Sequence, residues 1–143
     1  LEAQRLQLEV TESVIMNTGD ALGYVNDLRA VGVGLAIDDF GTGYSSLAYL
    51  KMLPIDHLKI DRAFIKDLPG DDDDVAITRA IIDLGHALGF RITAEGIETR
   101  QQYEFLRNAG CDQGQGYLIG RPMPAQQFDQ WLRTAQVERE RLI

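Results

Sequence analysis

Apolar and polar positions alternate in short runs that are separated by longer runs of helical period. Leu6, Leu8 and Val10 alternate with Gln7 and Glu9, the period-two signature of a strand. Leu22, Val25, Leu28 and Val31 then fall on one helical stripe, and Gly32 stands where a left-handed C-cap is expected. Alternation returns with Val33, Leu35 and Ile37 on one face and Gly34, Ala36 and Asp38 on the other. A turn at Gly41-Thr42-Gly43 leads to a short helix over Ser45 to Leu53, stopped by Pro54. Asp56 to Ile60 reads as the next strand. Ile77, Ile81, Leu84 and Leu88 mark a helix ended by Gly89, and Arg91 to Glu95 is a further strand. Thr99 and Gln102 predict a capping box for the helix that closes at Gly110. Gln113 to Tyr117 follows as a strand. Pro122 and Pro124 then precede a helix carrying Phe128, Trp131 and Leu132, and a tail of alternating charge over 138–141 reads as solvated.

Strand and helix alternate five times with short connections, which predicts parallel strands joined by right-handed crossovers, an α/β fold. Strands covered by helices on both faces read as continuous apolar runs. These instead pair an apolar face with a small or polar one: Gln7 and Glu9, Ala36 and Asp38, His57 and Lys59, Thr93 and Glu95, Gln113 and Gln115. A barrel explains the asymmetry, with the apolar set toward outer helices and the other set inside, where the C-terminal mouth hosts chemistry.

That mouth would gather Glu9, Asp38, Lys59, Glu95 and Gln115, with Asp39 adjacent to Asp38. Carboxylates confined together repel unless a cation sits among them, and oxygen ligands favour Mg²⁺ or Mn²⁺ over zinc. Two such ions would clamp a phosphate and activate water for in-line attack. Plainer readings attach to neighbouring residues. Glu12, Asp61 and Glu98 can serve as helix caps. The run Asp71 to Asp74 supplies an N-cap and a negative first turn, His57 and His86 read as structural, and the glycine turn matches no dinucleotide or P-loop fingerprint.

Composition narrows the partners. The 143 residues carry 14 basic and 22 acidic side chains, a net charge of −8, which argues against binding polymeric nucleic acid and leaves a phosphate ligand dependent on local cations. Cys111 has no partner for a disulfide and reads as a buried, inert thiol. No run suits a membrane span or a signal peptide, so this segment is expected to be cytoplasmic and to make no membrane contact, although a longer parent chain could be anchored.

The run from Asp38-Asp39-Phe40-Gly41-Thr42-Gly43 to Leu47, followed by Leu58-Lys59-Ile60-Asp61, Ala94-Glu95-Gly96-Ile97-Glu98 and Gln115-Gly116-Tyr117, resembles the EAL-domain family of bacterial cyclic di-GMP phosphodiesterases. Leu8-Glu9-Val10-Thr11-Glu12-Ser13 matches its upstream motif, and the resemblance spans about residues 6 to 132. It implies that Glu9, Asp38, Asp39 and Glu95 are metal ligands for Mg²⁺ or Mn²⁺. Lys59 would contact the attacking water and the phosphate, and Gln115 would hold a water at the metal. Glu98 would tie down the loop from Asp39 to Ser46, which links substrate binding to a homodimer, and Pro122 would pack near a guanine. The reaction implied is hydrolysis of cyclic di-GMP to linear pGpG. The Glu-Ala-Leu tripeptide is absent, so residues 1–134 are expected to be the C-terminal five β/α units of a TIM-like (β/α)8 barrel, incomplete in this chain, with 135–143 a charged tail. Alone it would be weak or inactive, pairing through its edges with the missing N-terminal half or another copy. Two rivals are a Schiff-base aldolase using Lys59 and a catalytically silent cyclic di-GMP receptor.

Overall fold

The computed structural model describes residues 2–17, 19–43 and 47–141. Its elements run β1 (Gln7–Thr11), α1 (Glu12–Asn17), α2 (Ala21–Val31), β2 (Gly34–Phe40), α3 (Leu47–Leu50), β3 (His57–Ile60), α4 (Asp72–Ala87), β4 (Arg91–Ala94), α5 (Arg100–Asn108), β5 (Gln113–Gly114) and α6 (Ala125–Arg141), with 3-10 turns at Ala3–Arg5 and Arg62–Phe64. The five strands form one parallel sheet in the order β1-β2-β3-β4-β5. Each strand lies beside its successor and the order never reverses, as in an arc of a barrel and unlike a doubly wound sheet.

The outward face is the core. Leu35, Ile37, Leu58, Ile60, Ile92 and Ala94 are buried there with Val25 of α2, Ile81 and Ile82 of α4 and Leu106 of α5. Local signals in the chain set the helix ends. Gly32 takes φ +92 after α2, Asp71 accepts the amides of Asp73 and Asp74 at the start of α4, and Thr99 with Gln102 closes the capping box of α5. Among the described residues no helix is long and apolar enough to cross a membrane.

Several expectations shift. The helix expected from Ser45 is α3, Leu47–Leu50; residues 44–46 lie outside the described set. The last strand stops at Gly114 because the chain then turns, with Ile119 N–H donating to the Gly116 carbonyl. Val31 and Ile77 are exposed rather than inside. On α4 the buried positions are Thr78, Ile81, Ile82 and Gly85: the Thr78 hydroxyl donates to the Phe64 carbonyl, so a polar residue sits where the pattern reads as surface. The backbone of α6 stays helical across 134–135.

One device at the N-terminal ends of the strands recurs. Asp56, just before β3, accepts the Leu35 N–H of β2 at 3.1 Å and pairs with Arg29 of α2 at 2.5 Å. Asp112, just before β5, accepts the Ile92 N–H of β4 at 2.8 Å and pairs with His86 of α4 at 2.9 Å. Burial works to raise both carboxyl pKa values, but the hydrogen bonds outweigh it and hold both below the ordinary aspartate range. The stability they supply is therefore complete above the unfolded aspartate pKa, about 3.9, and is lost as pH falls through the lower folded values. Asp56→Asn is expected to cost about 1–2 kcal/mol at neutral pH and to flatten the acid limb of the stability curve, measurable by urea unfolding across pH 3–7.

Candidate metal centre

On the inward face Ala36 of β2 pairs in register with His57 of β3, and Lys59 of β3 with Thr93 of β4. Plain alternation would send Asp39 to the face opposite Asp38. Between β2 and β3, however, the register runs from Ile37↔Leu58 to Phe40↔Ile60, three steps on β2 against two on β3. This bulge sets Asp38 and Asp39 together opposite Lys59, with Asp39 in the left-handed region at φ +55. Such a backbone is costly for a residue with a side chain and tends to be kept where function needs it.

Lys59 is the centre of the group. Its side chain is only 6 % exposed, and its ammonium lies 2.7 Å from Glu9, 3.1 Å from Asp38 and 2.6 Å from Glu95. Burial alone would favour the neutral amine, but the hydrogen bonds to Glu9, Glu95 and Asp38 prevail and raise the lysine pKa well above its ordinary value. Oxygens of Asp38, Asp39 and Glu95 lie within 4.8 Å of one another. Burial raises the Asp39 pKa, as do the like charges of Asp38 and Asp61. Three carboxylates thus contact one ammonium and a fourth, that of Asp39, lies beside two of them, leaving the group rich in negative charge. An all-oxygen donor set with surplus negative charge fits a hard divalent cation, and the lysine ammonium marks where positive charge is already accepted.

The other expected residues lie around this centre. Glu98 does not bond the described part of the loop after Asp39; its carboxylate accepts from Arg62 at 2.7 Å. A side chain that does bond this loop is Glu12, 2 % exposed, whose carboxylate accepts the Gly41 N–H at 2.9 Å. Gly43 lies so close that a Cβ there would stand 2.8 Å from Glu12 Oε1. Spacing suggested a helix cap for Glu12, and only the long-range packing reveals the loop contact. Gln115 lines a cavity of about 200 Å³ with Glu95, Glu98 and Arg62, and Pro122 lines a neighbouring one of about 470 Å³ with Gln115, Tyr117 and Trp131. Cys111 is part-buried, and burial raises its thiol pKa, consistent with an inert side chain.

The family model for the EAL domain matches residues 1–122. The bifunctional diguanylate cyclase/cyclic di-GMP phosphodiesterase MucR of Pseudomonas aeruginosa is 58% identical over 129 residues, covering 90% of this chain and 19% of its own. A solved structure of the PaMucR phosphodiesterase in complex with c-di-GMP superposes with a TM-score of 0.86 at 56% identity, over 90% of this chain and 52% of that one. The Klebsiella pneumoniae BlrP1 manganese/cy-diGMP complex superposes with a TM-score of 0.78 at 34% identity, over 85% of this chain and 31% of that one. The chain therefore spans about half the length of the MucR phosphodiesterase structure and less than a fifth of the MucR protein.

Proposed function

The chain belongs to the EAL domain family, and from that premise we propose that the protein carrying it hydrolyses one phosphodiester bond of cyclic di-GMP to give linear pGpG, with Mg²⁺ or Mn²⁺. The observation that carries the proposal is the buried ammonium of Lys59 within a ring of carboxylates at the C-terminal ends of β1 to β4. The named activity of MucR and the manganese and cyclic dinucleotide in the BlrP1 complex support it.

Asp38, Asp39, Glu95 and Glu9 are the residues that would hold the cations, which supply Lewis-acid stabilisation of a phosphoryl oxygen and a more acidic water. The chain's own side chains do the rest. Lys59, kept protonated by its neighbours, serves as a fixed positive charge and hydrogen-bond donor toward the phosphate or the attacking water, and is no base. The same protonation speaks against a Schiff base, which needs the neutral amine. Gln115 and Glu98 border the cavity beside Glu95 and would position solvent or substrate there, with Pro122 next to a base. An eight-stranded barrel has three strands beyond the five here, and these would complete the mouth.

The test is turnover in the intact protein. Chelation is expected to reduce pGpG formation to background and added Mn²⁺ or Mg²⁺ to restore it, followed by chromatography of the products. Tight binding of cyclic di-GMP with no turnover under any divalent cation would overturn the proposal in favour of a silent receptor.

A further inference from the structure

A second contact layer lies behind the carboxylates, at the corner where β3 leaves the sheet. Asp61 caps the 3-10 turn by accepting the Ala63 N–H at 2.7 Å, and its charge is one of those that raise the Asp39 pKa. The next residue, Arg62, reaches the other way, and its guanidinium donates to Glu98 at 2.7 Å. Its aliphatic stem lies flat on Gly96: a Cβ there would stand 2.4 Å from Arg62 Cγ and 2.8 Å from its Cβ and Cδ. Gly96 takes φ +70, so its conformation and the stem packed on it both demand glycine. Glu95, which pairs with Lys59, precedes it.

The two segments are also tied farther from the mouth. The buried Gln102 amide accepts the N–H groups of Glu98 and Thr99 and donates to the Lys66 carbonyl. The Arg62–Glu98 pair is the tie nearer the carboxylates, bordering the cavity shared with Glu95 and Gln115. Its side chains are 62% and 42% exposed, and so open an ion pair adds little to folding. Its consequence should therefore appear in the site rather than in the fold.

We infer that Arg62 is a positioning residue for the metal centre: its stem confines Gly96 and its guanidinium fixes Glu98, so that the turn from Glu95 to Glu98 presents the Glu95 carboxylate toward Asp38 and Asp39. Lysine would supply the charge but not the planar fork. The inference rests on the metal-dependent reading above, and the measurement separates the two. Mn²⁺ affinity is determined by calorimetry, and kcat and KM for cyclic di-GMP at saturating Mn²⁺, on the intact protein and its Arg62→Ala, Arg62→Lys, Glu98→Gln and doubly substituted Arg62→Ala/Glu98→Gln forms.

Arg62→Ala is expected to weaken Mn²⁺ binding by about tenfold or more and to lower kcat, with KM changed by less than about twofold, as for loss of an outer partner of a metal ligand. Arg62→Lys should recover part of the loss, the double substitution should add little to Arg62→Ala, and the melting temperature in chelator should be unchanged. Wild-type Mn²⁺ affinity in Arg62→Ala would overturn the inference, as would a loss confined to KM, which would make Arg62 a substrate contact. Failure of the unsubstituted protein to take up Mn²⁺ would instead overturn the metal-dependent reading itself.

Discussion

Lys59→Met in the intact protein is expected to lower turnover by about 10²–10⁴-fold, the range seen when a preorganised donor is removed from a reacting centre. The ammonium sits among Glu9, Asp38 and Glu95, and methionine keeps its approximate length while removing the charge. Three carboxylates would then face one another without their counter-ion. Their partial exposure softens the repulsion, so the loss of stability in chelator should be about 1–2 kcal/mol rather than the larger cost of a fully buried pair. A lysine pKa raised on folding gives stability that is complete below the unfolded value, about 10.4, so the contribution is fully present at neutral pH.

A divalent cation can take over part of the lost neutralisation. Mn²⁺ should therefore raise the melting temperature of Lys59→Met by more than that of the unsubstituted protein, because binding to the folded state alone stabilises it. Differential scanning calorimetry with chelator and with Mn²⁺ reads this directly, beside a turnover assay. Turnover within about fivefold of normal, or equal Mn²⁺ stabilisation of both proteins, would contradict a cationic role for Lys59.

Periodicity was enough to read the parallel strands and to put Glu9, Asp38, Lys59 and Glu95 on one face, because strand alternation is local and each run has its own turn signals. The ion pairs of Lys59 follow from that phase. Asp39 is different. Its inward position depends on a bulge, and a bulge is defined by the partner strand's register, which a single run of letters does not carry. On α4 the letters misplace the buried stripe for a related reason. Thr78 and Gly85 belong inside because a carbonyl of Phe64 and the side chain of Ile92 meet them there, and both contacts join residues at least seven positions apart in sequence. The paired aspartates at 56 and 112 also escape a local reading, since each accepts from a strand about twenty residues upstream.

Glu12 shows the same gap between local pattern and long-range contact, and its removal should have the second large effect. It is the first residue of α1, yet its carboxylate holds the Gly41 amide of a loop that begins 27 residues later at Asp39. The described part of that loop returns to its start, with the Thr42 hydroxyl donating to the Asp39 carbonyl at 2.9 Å. A line of contacts therefore runs from Glu12 through Gly41 to the left-handed Asp39. Glu12→Ala would leave a part-buried amide without its acceptor and empty the space beneath Gly43, at a cost of about 1–3 kcal/mol. It should also loosen Asp39 and lower Mn²⁺ affinity and turnover by about 10–100-fold. Glu12→Gln keeps an acceptor of the same reach, so it should lose less of both. Hydrogen exchange at the Gly41 amide distinguishes this route from general destabilisation, since faster exchange there should accompany unchanged protection of β3 and β4. Normal Gly41 protection and normal Mn²⁺ affinity in Glu12→Ala would mean that the loop holds Asp39 in place without Glu12.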